Sequence, residues 1–420
     1  MQVNGIIAEY NPFHNGHFYH LNESRARTGA DYTVVVMSGN FVQRGTPAIV
    51  DKFARAEMAL HCGADLVLEI PAFYACGGAE YFASASVSLL DQLGIVDNLC
   101  FGSEEGSLEN LQSLAVLLAE EPPAYRDLLA DFLSRGHSFP AARNLALSSY
   151  RHSDPETDRQ LLQPNNILSI EYLKALHLLH SQITPVTIPR SGAGYHEAHL
   201  PDEEEAFASA SGLRHQFFTT GAAKALQAHM PAAAFRVFSE YLQTRKALSA
   251  NDLSDLLLYR LLQKQTQGYA EYLDVSSDLS DKIQKHLYDF TDFESFCSLL
   301  KSKDLTYARI SRSLLHILLD ITQEEVTAYR SQGPVPYARV LGLNKNASPL
   351  LSALKANSSI PLISKPADAD KLLSPAAASM LRQDIRISQH YYALQTIASP
   401  EQKKCMRNEY RMQIPIIARD

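Results

Sequence analysis

At 420 residues, 46% of them apolar and 20% charged, the chain is long enough for two or three cores and has the composition of a soluble globular protein. No apolar run approaches the roughly 18 residues of a membrane span and no charged-then-apolar leader opens the sequence, which argues against insertion and secretion and for the cytoplasm. The net charge of −8 speaks against a nucleic-acid partner for the chain as a whole, yet residues 301–420 hold 17 Lys and Arg against 10 Asp and Glu, the asymmetry of a part that meets a polyanion or of a merely basic helical surface.

Val3 to Ala8 is a short apolar run suited to a buried strand, and Asn11-Pro12 stops it, since proline cannot donate to a ladder and turns its predecessor away from the helical region. A helix is expected from about His17 to Arg27. The H-x-G-H spacing of His14-Asn15-Gly16-His17 then sets two imidazoles beside the free N–H groups of a helix N-terminus, where unpaired donors and the helix dipole hold polyphosphate. A side chain at Gly16 would keep the backbone from approaching a ligand closely. Two histidines there suit a pentavalent α-phosphate and departing pyrophosphate, with no covalent enzyme intermediate. The tetrapeptide by itself is weak, and a turn carrying two surface histidines fits it too.

Tyr32 to Met37 reads as the second strand, with loop chemistry from Ser38 to Gly45. A helix from Lys52 to Cys62, a strand from Asp65 to Ile70, a helix from Gly78 to Leu93 and a strand from Asn98 to Phe101 follow. This alternation implies an α/β fold, a Rossmann-like doubly wound parallel sheet whose ligands lie at the carboxyl ends of the strands. Residues from about 107 to 160 read as an α-rich insertion. Pro164 opens a helix to about His180, Pro185 to Arg190 makes a fifth strand, and Ser191 to His196 is a glycine loop after it. The acidic run Asp202 to Glu205 reads as solvated surface, and Ala208 to Arg214 as a helix N-terminus with two hydroxyls, Ser209 and Ser211, toward a ligand. From Gly221 onward helix-period spacing dominates, with one short strand at Tyr337 to Gly342. Five cysteines, Cys62, Cys76, Cys100, Cys297 and Cys405, are odd in number and never spaced C-x-x-C, so buried free thiols are expected.

The H-x-G-H turn with Arg190 and the Ser209 to Arg214 segment resembles the nucleotidyltransferases that carry an H-x-G-H turn early and a serine/threonine-arginine motif late. Glu9 to His17, Met37-Ser38-Gly39 through Gln43-Arg44-Gly45, and Pro164 to Leu168 with Arg190 to His196 narrow the resemblance to the bacterial tRNA(Met) cytidine acetate ligase family. Thr306 to Ile310 and Arg339 to Gly342 extend it over nearly the whole chain. The resemblance implies activation of acetate by ATP, with Mg2+, to acetyl-adenylate, then acetyl transfer to the exocyclic amine of the wobble cytidine of elongator tRNA(Met). It implies an ATP site along Ile7, Ala8, Glu9, Tyr10, Asn11, Pro12, Phe13, His14, Asn15, Gly16, His17 and His20. Gly102, Asn166 and Arg190 match further family ATP positions, and Ser209 and Ser211 belong to the late motif, which departs from the usual form at Ser211 and Gly212. His14, His17 and Arg44 are the catalytic candidates, Arg44 for the carboxylate or a tRNA phosphate, and no metal ligands are assigned to the protein.

Residues 1–220 are therefore expected to form the ATP-binding catalytic domain and residues 221–420 a mainly helical tRNA-binding domain with Arg309, Arg312 and Arg339 on the tRNA path. A nucleotidyltransferase acting on a small phosphorylated acceptor is the alternative, and a non-catalytic RNA-binding protein a third; the basic C-terminal part and the intact histidine pair speak against each in turn. The sequence leaves a homo-oligomer open.

Overall fold

The computed structural model describes residues 1–104, 107–153, 163–189, 207–333, 335–397 and 406–418. Arg190, the Ser191 to His196 loop, the Asp202 to Glu205 run and Cys405 lie outside them. The strands are β1 (Val3–Ala8), β2 (Tyr32–Ser38), the short hairpin β3 (Phe41–Val42) and β4 (Thr46–Pro47), β5 (Leu66–Ile70), β6 (Asn98–Ser103), β7 (Thr184–Pro189), β8 (Ala338–Asn344), β9 (Leu362–Ile363) and β10 (Ile416–Ile417). The main sheet runs β10-β8-β5-β2-β1-β6-β7, with β9 beside β8, and β7 through β5 are mutually parallel.

Chain order proceeds outward from β1 to β2 and β5 on one side and to β6 and β7 on the other, so the switch point lies between β1 and β6. Both faces of the central strands are buried. Val34, Val36, Leu66 and Leu68 pack under the helix Ala79–Gln92, while Ile6, Val35, Met37 and Val67 pack under the helix Lys52–His61 and against Phe217 and Phe238. This two-sided burial explains why the sequence shows runs of β-branched residues rather than alternation.

The second half of the chain is mainly helical, as expected, but it also completes the sheet. β8 lies antiparallel on β5 with a bulge between Val67 and Leu68, and β10 lies parallel on β8. The expected division at residue 220 thus does not isolate the sheet. Sequence patterning marked the strand at 337–342 but carried no hairpin signal to say which edge it would join. The long helix Pro375–Ile397 then crosses the loops that follow β2 and β5: Tyr391 donates to the Ala48 carbonyl at 2.9 Å, and the Asp384 carboxylate accepts the Ala72 amide at 2.8 Å.

Beneath that crossing lies a buried ionic cluster. Lys52 Nζ bonds both Glu69 oxygens, at 2.7 and 2.8 Å, and Glu409 at 2.7 Å, and Arg339 stands 3.6 Å from Glu409. Arg339 is 1% exposed and donates to the carbonyls of Ile363 and Ser364. It is therefore a core residue of β8, and its expected place on a tRNA path is corrected: its charge is spent inside the fold. Cys62, Cys76, Cys100 and Cys297 are buried free thiols, and burial pushes those of Cys62, Cys100 and Cys297 up to about 12. Among the described residues no helix is long and apolar enough to cross a membrane.

Candidate active site

β1 ends at Ala8, and the next residues make a tight turn: Tyr10 takes a left-handed φ of 49°, and Asn11-Pro12 is a cis peptide. The helix Asn15–Thr28 begins with His14 as its N-cap. His14 Nδ1 accepts the Gly16 amide at 3.1 Å and His17 Nδ1 accepts the His14 amide at 3.3 Å, a reciprocal capping box built from two histidines. An Nδ1 that accepts carries no proton, so this pairing fixes both rings as neutral tautomers with hydrogen on Nε2. The rings stack with centroids 3.7 Å apart, and Tyr10 and Phe13 pack against His17 at 4.9 and 5.7 Å.

Gly16 is required for a reason nearer than the one its sequence position suggests. A Cβ there would stand 2.9 Å from His14 Cε1, so a side chain would displace the imidazole before meeting any ligand. Asn11 accepts from two directions: its side-chain oxygen takes the Ile49 amide at 2.8 Å, and its carbonyl takes Arg214 Nη1 at 2.6 Å. Arg55, wholly buried on the helix Lys52–His61, donates to the carbonyls of Glu9 and Gly39 and thereby ties the loop after β1 to the loop after β2. The Glu9 carboxylate strengthens that tie by accepting the Gln43 amide at 2.7 Å.

The cleft at the switch point has two lobes on either side of this turn. Ile7 to Tyr10, His14, His17, Asn165, Leu168 and Tyr172 belong to both. One lobe, of about 190 Å³, adds Gly16, His20, Gly102, Ile188 and Ala208. The other, of about 180 Å³, adds Gln43, Arg44, Phe82, Ser209, Ser211 and Arg214. The structure thus brings His14, His17, Arg44, Gly102, Ser209 and Ser211 to one cleft, although they span some 200 positions.

Other expected site residues stand behind it. Phe13 is fully buried in the core, Pro12 is buried, and Asn15 Nδ2 bonds the Ala228 carbonyl at 3.0 Å, so these three shape the turn rather than line the lobes. Asn166, 1% exposed, accepts the Glu104 amide at 3.0 Å while its own amide donates to the Glu104 carboxylate at 2.8 Å; its neighbour Asn165 lines both lobes. Ser209 caps the helix Ala210–Thr220 by accepting the Gly212 amide at 3.0 Å. Gly212 is buried in the first turn of that helix, whose start is regular despite the departure of the motif at this position.

Arg309 and Arg312 lie on the helix Tyr307–Leu319, both half-buried. Arg312 Nε is 3.4 Å from Asp274.

Residues 1–407 match the family described as HIGH Nucleotidyl Transferase. The tRNA(Met) cytidine acetate ligase of Thermoanaerobacter sp. (strain X514) is 43% identical over 366 residues, 87% of this chain and 89% of its own. The chain belongs to the tRNA(Met) cytidine acetate ligase family. A further member, from Acetivibrio thermocellus, is 38% identical over 395 residues, 93% of this chain and 94% of its own. Crystal structures of Thermotoga maritima TmcAL, 30% identical, superpose over 100% of both chains with TM-scores of 0.93 for the apo form and 0.91 for the form bound with alpha-thio ATP.

The sequence left Arg214, Asn165 and Arg55 without a role of their own. Arg214 ends the late motif and so was within reach; it lines the second lobe, bonds Ser211 Oγ at 3.2 Å and grips the histidine turn through Asn11. Arg55 carried no signal, because an arginine on an amphipathic helix reads as solvated until its neighbours are known.

Proposed function

We propose that the chain activates acetate with ATP to acetyl-adenylate and transfers the acetyl group to the wobble cytidine of elongator tRNA(Met), giving N4-acetylcytidine, in the cytoplasm. The observation that carries this reading is the two-histidine capping box at the switch point, facing the Ser209 to Arg214 helix start across one cleft. The lobe with Gly102 and Ile188, over the ends of β6 and β7, suits adenosine, and the two neutral imidazoles between the lobes suit the phosphates.

An acetate oxygen attacks the α-phosphorus in line, the bond to the β-phosphate bridging oxygen breaks, and pyrophosphate leaves. Nε2–H donors of His14 and His17 and the Arg214 guanidinium meet the charge that develops. The cytidine amine then attacks the acyl carbon, sheds a proton and expels AMP. Mg2+ would be held by the ATP phosphates and would supply neutralising charge there.

Catalysis belongs to residues 1–220 and tRNA binding to the surface of residues 221–420, even though strands of the second part complete the sheet of the first. The helix that carries Arg309 and Arg312 packs on the Arg44 loop where Ser311 and Arg312 meet Gly45. Incubation with ATP, labelled acetate and a tRNA pool, omitting each component in turn, tests the reading. Label in tRNA only when all three are present supports it; nucleotide transfer to a small phosphorylated acceptor without acetate would replace it.

A further inference from the structure

The second lobe sets polar side chains beside bulky apolar ones. Gln43, Arg44 and Arg214 line it together with Phe82, Leu168 and Tyr172. Phe82 and Tyr172 are 3% and 5% exposed, held in place by the helices Ala79–Gln92 and Pro164–Leu178 that pack on one another, so this part of the lining is rigid. Gln43 supplies the pointer to a ligand. Its backbone amide is fixed by Glu9 at 2.7 Å, yet its side-chain Nε2 is buried with no hydrogen-bond partner among the described residues. A buried amide donor left unpaired costs free energy, and at the lining of a cleft the usual compensation is an acceptor on the substrate.

We propose that this lobe is the acid subsite, in which Gln43 and Arg44 take the carboxylate and Phe82 and Tyr172 enclose its alkyl end, so that residue 82 sets the chain length accepted. This rests on the acetate-activating function proposed above. A two-carbon acid offers an enzyme only its charge and its size. The charge orients the attacking oxygen toward the phosphates at His14 and His17, which line the same lobe. Size discrimination against longer acids requires an unyielding apolar wall, and one methylene too many in such a pocket is rejected by a factor of about 10 to 200. Phe82 is suited to that part, because it comes from the helix after β5 and reaches the cleft from the side opposite in chain order to the adenosine lobe.

The test is acid-dependent ATP–pyrophosphate exchange by the full-length protein with formate, acetate, propionate and butyrate, comparing wild type with Phe82→Leu, Phe82→Ala and Gln43→Leu. Wild type is expected to favour acetate over propionate about tenfold or more in kcat/KM. Phe82→Ala, and more mildly Phe82→Leu, should raise propionate and butyrate use until that preference narrows or inverts, with the KM for ATP unchanged. Gln43→Leu should raise the acetate KM roughly tenfold while leaving the acid ranking and the ATP KM as they were. An unaltered acid ranking in folded Phe82 variants, or a Gln43→Leu defect that falls on ATP rather than acetate, overturns the subsite while leaving acetate activation standing. Failure of wild type to exchange with any carboxylic acid overturns both. Phe82→Leu retains most of the ring's volume, and Gln43 is outside the core, so loss of folding in Phe82→Ala alone does not decide the matter.

Discussion

Ser311 donates its hydroxyl to the Gly45 carbonyl at 3.1 Å, and a Cβ on Gly45 would stand 2.4 Å from the Arg312 amide nitrogen. The loop that carries Gln43 and Arg44 is thereby pressed onto the basic helix Tyr307–Leu319, so the acid subsite and the proposed tRNA surface adjoin at this contact. Gly45 adopts φ 79°, a conformation side chains resist. Gly45→Ala should lower the unfolding free energy by at least 1 to 2 kcal/mol from the left-handed backbone alone, read by chemical denaturation. It should also reduce tRNA acetylation more than acid-dependent exchange. Equal loss of both activities would mean the contact serves only stability.

His14→Ala and His17→Ala should each lower adenylate formation by roughly 100-fold or more, as expected when a donor aimed at developing charge is lost. Each also removes half of a reciprocal cap, worth about 1 kcal/mol. Exchange kinetics beside thermal unfolding separates the two effects. Near wild-type exchange in either variant would take that histidine out of the phosphate site.

Arg309→Ala with Arg312→Ala should weaken tRNA binding and reduce its salt dependence, because a phosphate that is no longer neutralised by the protein keeps its counterion. Exchange of ATP with pyrophosphate should persist. Arg312 also pairs with Asp274, so a lowered melting temperature together with an unchanged salt slope would assign the pair a structural use.

Arg339→Ala should act differently, through folding. Removing one member of a buried charged cluster typically costs about 3 to 5 kcal/mol, since Glu409 is left facing Lys52 with its neutralisation diminished. Denaturant titration measures it. A stable variant defective only in tRNA affinity would contradict the burial argument.

Asp384 sets a pH dependence. Burial, with the Glu69 charge next in size, raises its carboxyl to about 7, and it accepts from the Tyr337 hydroxyl at 2.6 Å. A raised carboxyl pKa means the folded state binds the proton more tightly than the unfolded chain, so this group's contribution is full below about pH 4 and is lost as pH rises toward about 7. Asp384→Asn keeps the shape and the bond from the Ala72 amide, turns its own amide donor toward the Tyr337 oxygen, and cannot ionise. Relative to it, wild type should lose melting temperature between about pH 4 and pH 7; parallel curves for the two proteins would show that Asp384 does not titrate in that window.

The sequence by itself determined the strand, turn and helix around His14 and His17, the alternation through the strand that begins at Asn98 and the helix start after Ala208, because each depends on neighbours within a few positions: proline, glycine, polar helix-start residues and apolar runs. It also placed Arg44 in a loop at a strand end, where the parallel sheet puts ligands, whereas Gly102, expected just past a strand ending at Phe101, lies within β6. Tertiary structure alone decided the rest. Arg339 and Arg309 look alike in sequence, yet one is fixed beside Glu409 in the core and the other lies half-buried on a helix. Asn165 and Asn166 are adjacent amides that both bond Glu104, and the phase of the helix they open leaves Asn165 alone of the two lining the cleft. The antiparallel seat of β8, the carbonyls gathered by Arg55 and the contact of Ser311 with Gly45 each join segments far apart in the chain. Such pairings depend on which distant surfaces meet during packing, and no local pattern encodes them.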